Sequence, residues 1–195
     1  MSLPLTRDEA IELLKKYNKT EDISDWNHFF ESEAIMKEVA NKINEDEEYY
    51  SMLGLLHDVD WGITKDNVTL HLTKAPEILK EAGFNEEFIK NILSHGCGFE
   101  CAGLKDKKRE RKIEFLLAAS ETLTGLIHSY ALMRGRKISD MEVSGLKKKY
   151  KDKTFAAGCN REIIKECENA GIMLDDFLEI GIDAIKNIKE KVGLS

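Results

Sequence analysis

Three observations predict an all-α protein, a bundle of about seven to nine helices. Apolar residues recur at helical spacing along most of the 195 residues. The chain holds only two Pro, so few segments are barred from a helix interior. No segment longer than three or four residues reads as a strand, and no repeat or linker divides the chain.

The helices follow in order from their start and stop residues. Thr6 with Glu9 makes a capping box for a first helix ending near Tyr17, with Ile11, Leu13 and Leu14 on its apolar side. A second begins near Ser24 or Asp25 and carries the stripe Phe29, Ile35, Met36, Val39, Ala40 and Ile43. Asn44 with Glu47 marks a third, whose apolar turn Leu53 to Leu56 runs into His57-Asp58. Residues 59–72 read as irregular. A helix from Thr73 stops at Gly83, where a left-handed residue is expected. Asn85 caps the next, which ends at His95. Residues 96–105 form a loop, and a long helix spans about Asp106 to Met133. Ser139 with Glu142 suggests a short start, and Asn160 and Asp175 open the last two helices.

Composition narrows the function classes. With 29 Lys and Arg against 36 Asp and Glu, the net charge of -7 offers no general attraction to nucleic acid or anionic membrane. No apolar run approaches 18 residues, so no span is expected. Cys97, Cys101, Cys159 and Cys167 form no double pair of zinc-binding spacing. A chain of this size needs no disulfides and shows no basic, apolar leader, so we expect reduced thiols in a cytoplasmic protein. Oligomeric state is left open, homo-oligomer included.

His57-Asp58 is the sharpest chemical feature. A polar pair at the end of an apolar turn suits either a metal or a cap with a salt bridge. Adjacent helical residues point about 100° apart, so both could serve one site only if the chain turns there. His28, His71 and His95 each sit near an element end, as ligands between helices or as unrelated capping and core residues. Neutral imidazoles with a shared carboxylate suit Mn, Fe, Zn, Co or Ni better than Ca. Glu121 is the one acid in the apolar run Phe115 to Ile127, asking for a cation, a hydrogen bond or a salt bridge. Gly125, one turn on, makes room for a side chain or ligand, or simply for close helix packing. The basic stretch Lys147, Lys148, Lys149, Lys151, Lys153 and Arg161 could hold phosphate, or be largely a solvated face. It is too short for a nucleic-acid track. His128 reads as a packing residue or a hydrogen-bonded core imidazole.

The order His28, His57-Asp58, His71, His95 and an acid at 121 resembles the HD-domain superfamily of metal-dependent phosphohydrolases. A closer resemblance is to a bacterial and archaeal subgroup of predicted HD hydrolases of uncharacterised activity. It rests on Glu33-Ala34, on Gly54 to Asp60, on Leu123 to Ile127, on Lys148 to Lys153, on Phe155 to Gly158, and on Asn160 to Glu162. The resemblance implies an HD-domain-like bundle over residues 1–195, with 140–195 as a C-terminal helical elaboration. It implies a first metal held by His28, His57, Asp58 and Glu121, and a second by His71 and His95, with Asp58 bridging. The family usually has Asp where this chain has Glu121. The expected cofactor is therefore one or two divalent transition ions: Fe, Mn, Ni, Co or Zn.

The expected reaction is hydrolysis of a phosphate ester or anhydride, such as a nucleotide or other small phosphorylated metabolite, by metal-activated water. Lys153 or Arg161 would bind phosphate, and Asp60 would orient water or a ligating imidazole. The alternatives are a di-iron oxygenase with the same ligand pattern and a non-catalytic phosphate- or nucleotide-binding module.

Overall fold

The computed structural model describes residues 3–19 and 22–195. Among them every regular element is helical: α1 (Arg7–Tyr17), α2 (Ile23–Ile43), α3 (Glu47–Leu56), α4 (Trp61–Thr64), α5 (Ala75–Glu81), α6 (Glu86–Ser94), α7 (Lys112–Met133), α8 (Val143–Lys151), α9 (Arg161–Lys165) and α10 (Leu174–Asn187). Short 3-10 turns lie at Val68–Leu70 and Glu166–Ala170. Since α4 is a single four-residue turn, the bundle has nine longer helices, an HD-domain-like fold as expected. None is long and apolar enough to cross a membrane.

The capping residues explain most boundaries. Thr6 and Glu9 form the expected capping box on α1, and Asn85 caps α6 by accepting from the Phe88 N–H. Gly83 has φ +89°, the left-handed exit from α5. Asn160 caps α9 as expected. Four starts differ. Asn44 ends α2 in the left-handed region (φ 56°), and Asp46 caps α3 instead. The long helix starts at Lys112 because Glu114 reaches back to accept from the Glu110 and Arg111 N–H groups. The helix after Ser139 begins only at Val143, since the Ser139 and Ile138 N–H groups donate to the Ser195 carbonyl. Asp175 lies within the first turn of α10, which Met173 precedes at the N-cap position.

Two long helices frame the core. α2 and α3 pack side by side, α7 crosses α2, and α10 covers the outer side of both α2 and α7. Phe29, Ile35 and Met36 from α2, Leu53, Leu55 and Leu56 from α3, and Leu116, Leu117 and Leu123 from α7 are all fully buried. Burying a side chain of this size contributes about 1.5–3 kcal/mol, so the same apolar stripes that define the helices also hold them in register. All four cysteines are free thiols.

Gly54 sets how closely α3 approaches α2. A Cβ there would lie 2.4 Å from the Ser32 carbonyl oxygen, which is backbone and cannot swing aside. The consequence reaches one turn further, because the Gly54 carbonyl holds the His57 ring. Gly54→Ala is therefore expected to destabilise the fold by about 1–3 kcal/mol, the usual cost of overpacking. Urea unfolding measures this, and an unchanged midpoint would show that the helices can part without cost.

Candidate metal centre

Five side chains converge where α2, α3, α6 and the 59–75 segment meet. His28 lies in the second turn of α2, and His57 and His95 are the C-cap residues of α3 and α6. His71 closes the 3-10 turn Val68–Leu70. Asp58 follows His57 just after α3 has ended, where its carbonyl accepts from the Trp61 N–H in a turn. The chain bends at that point, so both members of the dyad can face one centre.

The distances describe one cluster around one carboxylate. Asp58 Oδ1 is 3.2 Å from the Nε2 of both His71 and His95, and 3.6 Å from His57 Nε2. Its Oδ2 is 3.8 Å from His28 Nε2. The Nε2 atoms of His28 and His57 are 2.9 Å apart, and those of His71 and His95 are 3.2 Å apart. Two groups, His28-His57-Asp58 and Asp58-His71-His95, thus share Asp58, and the ligand atoms of each lie within 4.8 Å of one another.

Hydrogen-bond partners decide what those nitrogens offer. His57 Nδ1 faces the Gly54 carbonyl at 2.8 Å, and His95 Nδ1 faces the Ile92 carbonyl at 2.7 Å. A carbonyl only accepts, so each Nδ1 carries the proton. His71 Nδ1 donates to Asp60 Oδ1 in the same way. His28 Nδ1 meets Thr124 Oγ1 at 2.8 Å, but that hydroxyl already donates to the Glu121 carbonyl at 2.7 Å. It must therefore accept from His28. In its neutral form each of the four rings is therefore held with its Nε2 lone pair turned inward. Lone pairs at such separations repel unless a cation or a proton lies between them, which is the donor set a divalent transition ion requires.

Electrostatics point the same way. Burial drives the His57 imidazole down to about 3, keeping it neutral. Burial also opposes charge on His71, yet its bonds to Asp58 and Asp60 outweigh this and push it up to about 10. For Asp58, burial works against ionisation, but His57, His71 and His95 hold the carboxyl well below its usual range. Without a metal, a proton on His71 is what relieves the cluster.

The sequence match completes the argument. The HD domain family model matches residues 25–124, a span containing all four converging histidines, Asp58 and Glu121. The chain belongs to the HD domain family. No curated protein and no solved structure matches it. The HD domain and its two ligand clusters make this an enzyme of the HD type, with a centre for one or two divalent ions.

Around the HD centre the other expected site residues fall into different places. Asp60 is fully buried, and its oxygens accept from His71 Nδ1 and from the Leu72, Lys74 and Ala75 N–H groups. It orients a histidine and fixes the 71–75 segment, and its acceptor capacity is spent without water. Glu121 lies beside the centre but outside both groups. Its Oε1 accepts from Thr122 Oγ1, and burial raises its carboxyl despite the nearby His95 and His28. Gly125 makes room for a side chain: a Cβ there would meet Cys159 Sγ at 2.7 Å. His128 is hydrogen-bonded to the buried Glu31 at 2.6 Å.

Arg161 needs a correction. Its guanidinium is buried and donates to the carbonyls of Lys149, Tyr150, Asp152, Phe155, Ala156 and Cys159. Those six acceptors occupy all five of its N–H donors, so none is left for phosphate. Arg161 is instead the pin that ties the end of α8 to the loop over 152–159. Lys153 is exposed on that loop, and Lys147 pairs with Asp175. Two residues support the site in roles that the sequence does not show. Thr124 sets the His28 tautomer. Arg109 bonds the carbonyls of Ser94, His95 and Cys97 while pairing with Glu166, tying the end of α6 to the C-terminal helices.

The two opposite shifts give a pH signature. His57, about 3 when folded against an ordinary 6.5, gains its proton only on unfolding, so its share of stability rises with pH between those values. His71 keeps its proton when folded up to about 10, so its share falls from 6.5 to 10. The combined contribution of His57 and His71 to the metal-free protein should peak near pH 6.5. His71→Gln should flatten the alkaline limb in urea melts across this range. An unaltered limb would exclude the charged His71 bonds.

Proposed function

We propose that this protein hydrolyses a phosphate ester or anhydride of a small molecule, at a centre formed by His28, His57, Asp58, His71 and His95. The observation that carries this reading is the inward convergence of four imidazole Nε2 atoms on the Asp58 carboxylate, three toward Oδ1 and His28 toward Oδ2. Divalent Fe, Mn, Ni, Co or Zn held there would supply Lewis acidity toward a phosphoryl oxygen and lower the pKa of water. The protein's part is to hold the ligands. Asp60 keeps His71 aimed inward, and Thr124 does so for His28. Gly54 and Ile92 carbonyls do the same for His57 and His95. Lys153 is our candidate for phosphate contact, because its loop continues to Gly158, Cys159 and Asn160 beside Glu121 and His28. We further assign the 140–195 helices to the same functional unit, and the four free thiols favour a cytoplasmic setting.

Hydrolysis is tested by phosphate release from a panel of phosphate esters and anhydrides, with each of the five metals supplied to chelator-treated protein. We expect release that depends on added metal. Asp60→Asn is expected to lower metal affinity or turnover by about 10–100-fold, the usual cost of losing a ligand's supporting partner. Release that survives chelation would remove the metal from the reading. Oxygen uptake without phosphate release would replace hydrolysis with oxygen chemistry.

A further inference from the structure

A cleft of about 250 Å³ opens beside the metal centre. His28 and Glu121 line the end next to that centre, and Phe99, Gly125, Cys159 and Ile163 line much of the rest. Ile163 is buried, whereas Phe99 keeps 46% of its surface exposed. The polar lining groups are largely engaged by the protein. Thr122 Oγ1 donates to the Glu121 carboxylate, Thr124 Oγ1 donates to the Glu121 carbonyl, and Asn160 Oδ1 caps α9. No Lys or Arg among the described residues lines the cleft. Arg161, the next residue after Asn160, spends its guanidinium on six carbonyls. Val68 and Leu70, exposed at 59% and 48%, belong to the turn that His71 closes. The Ala102 N–H ties that turn to the Phe99 loop through the Thr69 carbonyl. Two linked loops at the centre thus carry exposed apolar side chains, where singly scattered ones are the norm. Gly158, also on the cleft wall, marks free volume: a Cβ there would meet nothing within 4 Å. Its φ lies outside the left-handed region, so a larger side chain fits there without backbone strain.

We propose that this cleft receives the organic group of a phosphomonoester, and that this group is uncharged, apolar and about one aromatic ring in size. This rests on the reading of the His-Asp centre as the phosphoryl site. An apolar ring leaving water here meets Phe99, Ile163 and Cys159, and an aromatic pair gains beyond the area it buries. A second phosphate or a carboxylate would lose hydration against the same walls with no cation to replace it. The cleft therefore admits a ring and rejects a second anionic group. Its volume agrees, being below the roughly 300–1,000 Å³ of sites for drug-sized ligands.

The test is calorimetric binding of three phosphonates to the metal-loaded protein: methylphosphonate, benzylphosphonate and 4-carboxybenzylphosphonate. Their P–C bond is not hydrolysed, so affinity is read without leaving-group chemistry. Phosphate release from p-nitrophenyl phosphate is measured alongside. Benzylphosphonate should bind on the order of tenfold more tightly than methylphosphonate, as burial of one ring allows. The carboxylated ring should lose most of that gain. Gly158→Leu, which fills the free volume, and Phe99→Ala, which removes the ring, should each bring the ratio toward one. Metal content by mass spectrometry should stay at the wild-type level in both. A wild-type ratio near one, with p-nitrophenyl phosphate still hydrolysed, would overturn the cleft assignment alone. So would equal binding of the two ring probes, a ratio unchanged in both variants, or a ratio that falls only where metal is lost. Neither phosphonate binding nor hydrolysis by the wild type would overturn both readings.

Discussion

The structure turns on the repulsion among four histidine nitrogens gathered around one carboxylate. Each ring is held by its outer nitrogen, and each outer nitrogen donates to an acceptor that the fold itself supplies. The inner nitrogens have no freedom to turn away. A protein normally avoids such an arrangement, since buried polar atoms without complementary partners cost free energy. Here the cost is built in at several independent points, and a divalent cation removes it.

The rest of the bundle can be understood as support for that convergence. The close approach of α3 to α2 at Gly54 brings the His57 and His28 rings to 2.9 Å. Thr124 in α7 then couples the third long element to the same histidine. Asp60 gathers three backbone N–H groups as well as His71, so an irregular segment becomes as fixed as a helix end. The Ala102 N–H donates to the Thr69 carbonyl, linking the loop after His95 to the turn before His71. Arg109 anchors the far side of that loop through three carbonyls and Glu166. Rigid ligands on short, cross-linked loops are what a defined metal geometry needs.

Helices and their ends were largely legible in the sequence, because caps and apolar spacing are local signals. Thr6, Gly83, Asn85 and Asn160 act where expected. Boundaries failed where a tertiary bond overrode the local signal, as when Ser139 donates its N–H to Ser195 rather than starting a helix. The four histidines and Asp58 could be singled out by order and by position at element ends. Their tautomers could not, since each depends on an acceptor known only once the chain has folded. Arg161 shows the reverse limit. A basic residue beside lysines suggests an anion, but six carbonyls curl around this one. Backbone acceptors leave no trace in a sequence. Glu121 was visible as an acid in an apolar helix, while its bond with Thr122 was not.

The shared role of Asp58 is the central claim, and anaerobic metal titration followed by elemental analysis tests it most directly. One ion per ligand group should bind the wild-type chain. His71→Ala should lose one site and keep the other, because His28, His57 and Asp58 remain, whereas Asp58→Ala should weaken both together. An Asp58→Ala protein that retains the wild-type metal content would contradict the account.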